Sequence, residues 1–186
     1  LLDGDVVFTN LESSVGMPGE TQENTHGAGP GFHTPPAGLD ALMALGVNLL
    51  SNANNQAWNL GSVGILNTDR ETKKRNLAKA GSGPTLSDAS APAYVKTPKG
   101  TVALVAMASG SVPDGAAATA TRPGVNELRI EAGGKPCPGG LDPCQGGKPN
   151  EVDAKRILAS IRDAKAHADL VVVYQHNHLW PIAYTE

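Results

Sequence analysis

Three polar clusters in this chain each follow an apolar run, and their side chains are of kinds that bind metals or move protons. Asn10 and Glu12 follow Asp5-Val6-Val7-Phe8-Thr9. Asn54, Asn55 and Gln56 follow Val47-Asn48-Leu49-Leu50, and His176 and His178 follow Asp169-Leu170-Val171-Val172-Val173-Tyr174. A carboxylate can ligate a metal, act as a base or cap a turn. Carboxamide oxygens are hard neutral donors, and their N–H groups hold substrate oxygens. With imidazole nitrogens added, the set suits Mn²⁺, Fe or Zn²⁺. His-x-His in a strand projects both rings to one side, so both can ligate, or one can ligate while the other touches substrate. Each cluster also has a plain reading: asparagines satisfying their own turn, or histidines buried and hydrogen-bonded. Convergence decides between the two. Ligands in α/β sheets gather at the C-terminal strand ends, so three strands sharing one sheet and one direction would bring all three clusters to one edge.

The elements that must position these groups can be read from periodicity. Asp5–Thr9 and Val47–Leu50 read as buried strands, separated by a long loop from Ser13 to Pro35 and a helix that starts at Pro35-Pro36 and ends at Gly46. The loop holds His26 and His33, which read as solvated. Ser62 to Ala80 reads as one amphipathic helix ended by Gly81, with Asp69, Arg70, Glu71, Lys73, Lys74 and Arg75 on a solvated face. Ala91–Thr97 and Thr101–Ala108 form a hairpin about Pro98-Lys99-Gly100, the second strand buried on both faces. Ser109 to Lys148 is a Gly-, Ala- and Pro-rich excursion with a short ordered piece at Val125–Ile130. Asn150 then caps a helix that runs to about Lys165, and Asp169–Tyr174 is a buried strand. The alternation predicts an α/β layered fold in a single domain, residues 1–186.

Composition narrows the function. With 186 residues the chain can build one real core, and a net charge of −3 offers no basic stripe for nucleic acid. No apolar run approaches the roughly 20 residues that span a bilayer. Leu1 is not an initiator residue, so the chain is expected to be a processed form or an excerpt. The two cysteines, Cys137 and Cys144, sit in a Gly/Pro loop at a spacing that fits a local disulfide better than a metal site, with free thiols as the alternative. A disulfide would favour an extracytoplasmic or membrane-associated location.

Several segments carry a resemblance. Asp5-Val6-Val7-Phe8-Thr9-Asn10-Leu11-Glu12 is similar to an Asp-hydrophobic-Asn-Leu-Glu segment, and Ala53-Asn54-Asn55-Gln56-Ala57-Trp58-Asn59-Leu60-Gly61 to an Ala-Asn-Asn-His-x-x-Asp-x-Gly block. Leu77-Ala78-Lys79-Ala80-Gly81, Pro123-Gly124-Val125 and Ala168-Asp169 through His176 match further blocks in the same order. These segments resemble the bacterial capsule-synthesis family typified by CapA, of poly-gamma-glutamate synthesis. The resemblance implies a calcineurin-like metallophosphoesterase fold, a layered αββα-type sandwich whose first and last strands would lie before Leu1 and after Glu186. By similarity, Asn10, Glu12, Asn55 and His176 would hold divalent metal (Mn, Fe or Zn), Gln56 and His178 would take the catalytic positions, and Asn54 and Asn59 would bind substrate. The implied activity is metal-dependent, phosphoesterase-like hydrolysis of a polymer or small-molecule substrate, alongside membrane-associated capsule-synthesis machinery. Gln56 stands where the family has His, and Asn59 where it has Asp. A carboxamide cannot shuttle a proton near neutral pH, so the alternative is a non-catalytic accessory or binding protein that kept the fold. A hydrolase of amide or glycosidic bonds is a third reading, for which no spaced carboxylate pair stands out.

Overall fold

The computed structural model describes residues 3–19, 33–131 and 147–178. His26, Cys137 and Cys144, and with them the expected disulfide, lie outside those residues. The described chain is mixed α/β, with four α-helices and several small sheets. It opens with β1 (Phe8–Asn10), β2 (Ser14–Val15), β3 (His33–Thr34), α1 (Pro36–Ala44) and β4 (Leu49–Ser51). A 3₁₀ turn (Asn55–Trp58) leads into α2 (Gly61–Lys74), followed by β5 (Ala78–Ala80), β6 (Ser82–Gly83) and α3 (Leu86–Ser90). The hairpin β7 (Ala93–Thr97) and β8 (Gly100–Ser109) precedes β9 (Gly124–Val125), β10 (Ile130–Glu131) and β11 (Lys148–Pro149). Last come α4 (Glu151–His167) and β12 (Leu170–Asn177).

Two three-stranded sheets carry the site. One has the order β1-β4-β5, all parallel; the other has β12-β8-β7, with β12 parallel and β7 antiparallel to β8. Strand periodicity of two explains how they meet. In β8, Leu104, Ala106 and Ala108 pack with Leu49, Ala53 and Ala80 from the first sheet and its flank, joined by Phe8, Val172 and Tyr174. The intervening Ala103, Val105 and Met107 pack on Ile157 and Ala164 of α4. Leu50 and Leu77, on the other side of the first sheet, pack with Leu39 of α1. The residues between the sheets are largely alanine, and Gly81 (φ +96°) belongs to this close approach: a Cβ there would lie 2.4 Å from that of Ala53. No helix of the described residues is long and apolar enough to cross a membrane.

The termini of the helices follow their sequences. Pro36 starts α1, where its missing N–H costs nothing. Asn150 Oδ1 accepts from the N–H groups of Val152 and Asp153 at 3.1 Å, capping α4, with acids in the first turn and Lys165 and His167 in the last.

Several expectations need correction. The helix expected over Ser62–Ala80 ends at Lys74, because Asn76 adopts a left-handed conformation (φ +54°) and turns the chain into β5. Residues 78–80 are therefore the third strand of the first sheet. The charged face of α2 is not wholly solvated: Glu71 is buried, its Oε2 lies 2.6 Å from Arg75 Nη1, and Arg75 also reaches Asp40 of α1 at 2.7 Å. The loop from Ser13 to Pro35 contributes the parallel pair β2–β3, and the excursion after Ser109 contributes β9, β10 and β11. β12 is half-exposed rather than buried, with Leu170 and Val173 open to solvent.

Candidate functional site

The polar clusters do converge, but across the gap between two sheets instead of along the edge of one. β1 and β4 share a sheet that excludes β12. His176 stands two residues beyond Tyr174 and four beyond Val172, so it projects from the face of β12 that looks toward the first sheet. Phe8 of β1 meets Tyr174 of β12 edge-on, with ring centroids 5.4 Å apart. This aromatic pair, worth about 0.5–1.5 kcal/mol beyond its buried area, closes the apolar gap close to the polar cluster.

Four donor atoms gather there. His176 Nε2 lies 3.0 Å from Asn55 Oδ1, 2.8 Å from His178 Nε2 and 3.6 Å from Glu12 Oε1. Glu12, His176 and His178 each offer a ligand atom within 4.8 Å of the others. His176 Nδ1 faces Tyr174 Oη at 3.4 Å. A carboxylate and a carboxamide oxygen only accept hydrogen bonds, and a neutral imidazole carries one proton. The cluster thus points lone pairs at lone pairs, with at most one proton per ring to place among them. Burial lowers the pKa of His176 below the usual histidine value; the charge of Glu12 partly restores it and His178 lowers it further. Tyr174 is shifted up by burial and by the same Glu12 charge.

The supports are local. The His178 N–H donates to Ser109 O at 3.0 Å, and Gln175 Nε2 donates to Ser109 Oγ at 2.7 Å, pinning the end of β12 to β8. Asn54 is fully buried: its Nδ2 donates to Asn10 Oδ1 (3.0 Å) and Leu11 O (2.8 Å), and its Oδ1 caps the 3₁₀ turn by accepting from the Ala57 N–H (2.8 Å). That turn sets Asn55 at its first position.

Of the residues expected at the site, Glu12, Asn55, His176 and His178 meet. Asn10 stands one step back, its Oδ1 taken up by Asn54 and its Nδ2 3.3 Å from Glu12 Oε2. Asn54 is committed to protein partners and acts as a brace. Gln56 and Asn59 hold each other, Asn59 Nδ2 donating to Gln56 Oε1 at 2.7 Å. Two supporting residues escaped the sequence reading. Tyr174 was readable from its i−2 spacing to His176. Asn52 was readable only as a carboxamide at the end of an apolar run, and it has no exposed surface at all.

Comparison with known proteins agrees with the family resemblance. The family described as bacterial capsule synthesis protein PGA_cap matches residues 1–180. Two Sinorhizobium fredii (strain NBRC 101917 / NGR234) proteins, the uncharacterized proteins y4sH and y4uA, are each 34% identical to this chain over 138 residues. The match covers 68% of this chain and 29% of each relative, so the chain spans under a third of their length.

Proposed function

The chain belongs to the bacterial capsule synthesis protein family, and from that premise we propose that it is the core of a metal-dependent, phosphoesterase-like hydrolase of capsule or cell-envelope polymer metabolism. The observation that carries this reading is the meeting of Glu12, Asn55, His176 and His178 with their acceptor atoms turned on one another. The donor set fits a divalent ion. Tetrahedral bonds of roughly 2.0–2.1 Å separate neighbouring ligand atoms by about 3.3 Å; His176 Nε2 lies 2.8, 3.0 and 3.6 Å from the other three donor atoms, and those of Glu12, His176 and His178 all lie within 4.8 Å of one another. Mixed carboxylate, carboxamide and imidazole donors suit Zn²⁺, Fe or Mn²⁺. The paired sheets, with α1 against one and α4 against the other, support a layered αββα sandwich of the metallophosphoesterase kind.

In this reading Glu12, Asn55, His176 and His178 would hold the metal, which would supply an acidified water and an electrostatic clamp on the substrate oxygens. The chain's own residues do the rest. Asn54 holds Asn10 and the Leu11 carbonyl so that Glu12 faces the cluster. Tyr174 holds His176 by its Nδ1, leaving Nε2 toward Asn55 and Glu12. Gln56 and Asn59 form a neutral pair that can orient a substrate oxygen but cannot pass a proton.

That neutral pair supports a second reading, a protein that binds the same substrate class through the same fold without turning it over. Turnover of a generic aryl phosphate by the full-length protein, before and after chelation, tests the first reading. Activity that is lost with chelator and restored by Mn²⁺ or Zn²⁺ is expected. Gln56→His separates the two readings: a gain toward the 10²–10⁴-fold typical of general acid catalysis marks a weakened enzyme, and no gain favours binding.

A further inference from the structure

We infer that Asn52 is a positioning residue for Glu12, acting through the two peptide carbonyls that flank it; this rests on the reading of Glu12 as a metal ligand. Asn52 is fully buried at the end of β4. Its Nδ2 donates to Leu11 O and to Ser13 O, both at 2.9 Å. One amide group therefore grips the carbonyls on either side of Glu12. The Glu12 side chain is itself 43% exposed, with Asn10 Nδ2 at 3.3 Å from its Oε2, so the backbone that carries it does much to fix where its carboxylate sits.

The orientation of that amide is imposed from the other side. Asn52 Oδ1 accepts from Ser82 Oγ at 2.8 Å, and Lys79 Nζ lies 3.2 Å from the same hydroxyl. A lysine ammonium has only protons to offer. Ser82 Oγ must accept from it and give its own proton to Asn52, which leaves both Nδ2 protons for the Glu12 segment. Lys79 has 5% of its side chain exposed and is held by Ser82 O and by Asp69 Oδ1 at 3.7 Å. A buried relay thus runs from α2 through β5 and β6 to the site.

The test uses the full-length protein with Zn²⁺ and Mn²⁺ titrated calorimetrically, and amide exchange followed at Leu11 and Val15, with the amides of β8 as a control for global opening. Asn52→Leu, close in volume but without donors, should weaken metal binding roughly 10- to 100-fold, as loss of a residue supporting a ligand does. It should also speed exchange at Leu11 and Val15 while β8 stays protected. Ser82→Ala should give the same pattern at smaller amplitude. Metal affinity within twofold of wild type, or faster exchange spread equally over β8, would overturn the proposal. If the wild-type protein binds neither metal, the metal reading fails by itself, and unchanged exchange at Leu11 and Val15 in Asn52→Leu would then overturn the grip on this segment as well.

Discussion

At the start of α4, Asp153 is buried and met by two arginines; at the end of β12, His176 is met by a carboxylate, a carboxamide oxygen and a second imidazole. The first cluster matches donors to acceptors throughout. Arg129 Nε and Arg156 Nη1 each lie 2.7 Å from an Asp153 oxygen, Arg156 Nε donates to Asn126 Oδ1 at 3.2 Å, and Arg129 Nη2 donates to Asn150 Oδ1 at 3.2 Å. Burial opposes ionisation of Asp153, yet the arginine hydrogen bonds hold its carboxyl below the usual range. The second cluster brings a carboxylate oxygen, a carboxamide oxygen and two imidazole nitrogens together, where a shared proton or a cation can join them. A polar group that is saturated fastens the fold, here by tying residues 126–131 to α4. In the proposed metal reading, the second cluster instead waits for an ion.

The contrast predicts that the two clusters fail differently. Asp153→Ala leaves Arg156, 18% exposed, without its carboxylate. Unfolding free energy in denaturant should fall by about 3 kcal/mol, while metal affinity measured in native buffer stays within twofold of wild type. Equal losses in both measurements would show that the clusters are coupled.

Lys79 tests the same rule with a cation that is only partly matched. Burial lowers its pKa from 10.5 to about 8, against the pull of Asp69. Between those two values the unfolded chain binds the proton that the folded chain has released, so stability rises with pH across the window. The rise amounts to about 3 kcal/mol, and below pH 8 the cost of the buried charge is fully present. Denaturation at pH 7, 9 and 10.5 should show this increase in wild type and lose it in Lys79→Met.

Tyr174→Phe gives the smallest effect. It removes the Oη that faces His176 Nδ1 but keeps the ring against Phe8. Stability should change by less than about 1 kcal/mol, and metal affinity should fall by about tenfold or less.

Much of this was legible in the sequence, for identifiable reasons. The both-faces-buried β8, the Asn150-capped α4 and the proline start of α1 follow from local patterns that the tertiary structure does not override. The strand β5 was hidden because Leu77 continues the helical spacing of α2; Asn76, following Lys73, Lys74 and Arg75, was the readable stop. The pairing of Arg75 with Glu71 and Asp40 was hidden because an i,i+4 ion pair reads as solvated until a neighbouring helix covers it. The meeting of Glu12, Asn55, His176 and His178 was expected, but on the premise of one shared sheet. Sequence alone fixes which face of β12 carries His176, not which sheet that face looks at.

The proposed metal centre of Glu12, Asn55, His176 and His178 can be tested directly. Equilibrium dialysis of the full-length protein against Zn²⁺ and Mn²⁺, beside its Glu12→Gln and His176→Ala variants, measures this directly. Wild type should bind stoichiometrically, and each variant should lose more than the roughly 10- to 100-fold that a supporting residue costs. No binding by the wild-type protein, or equal binding by the variants, would contradict it.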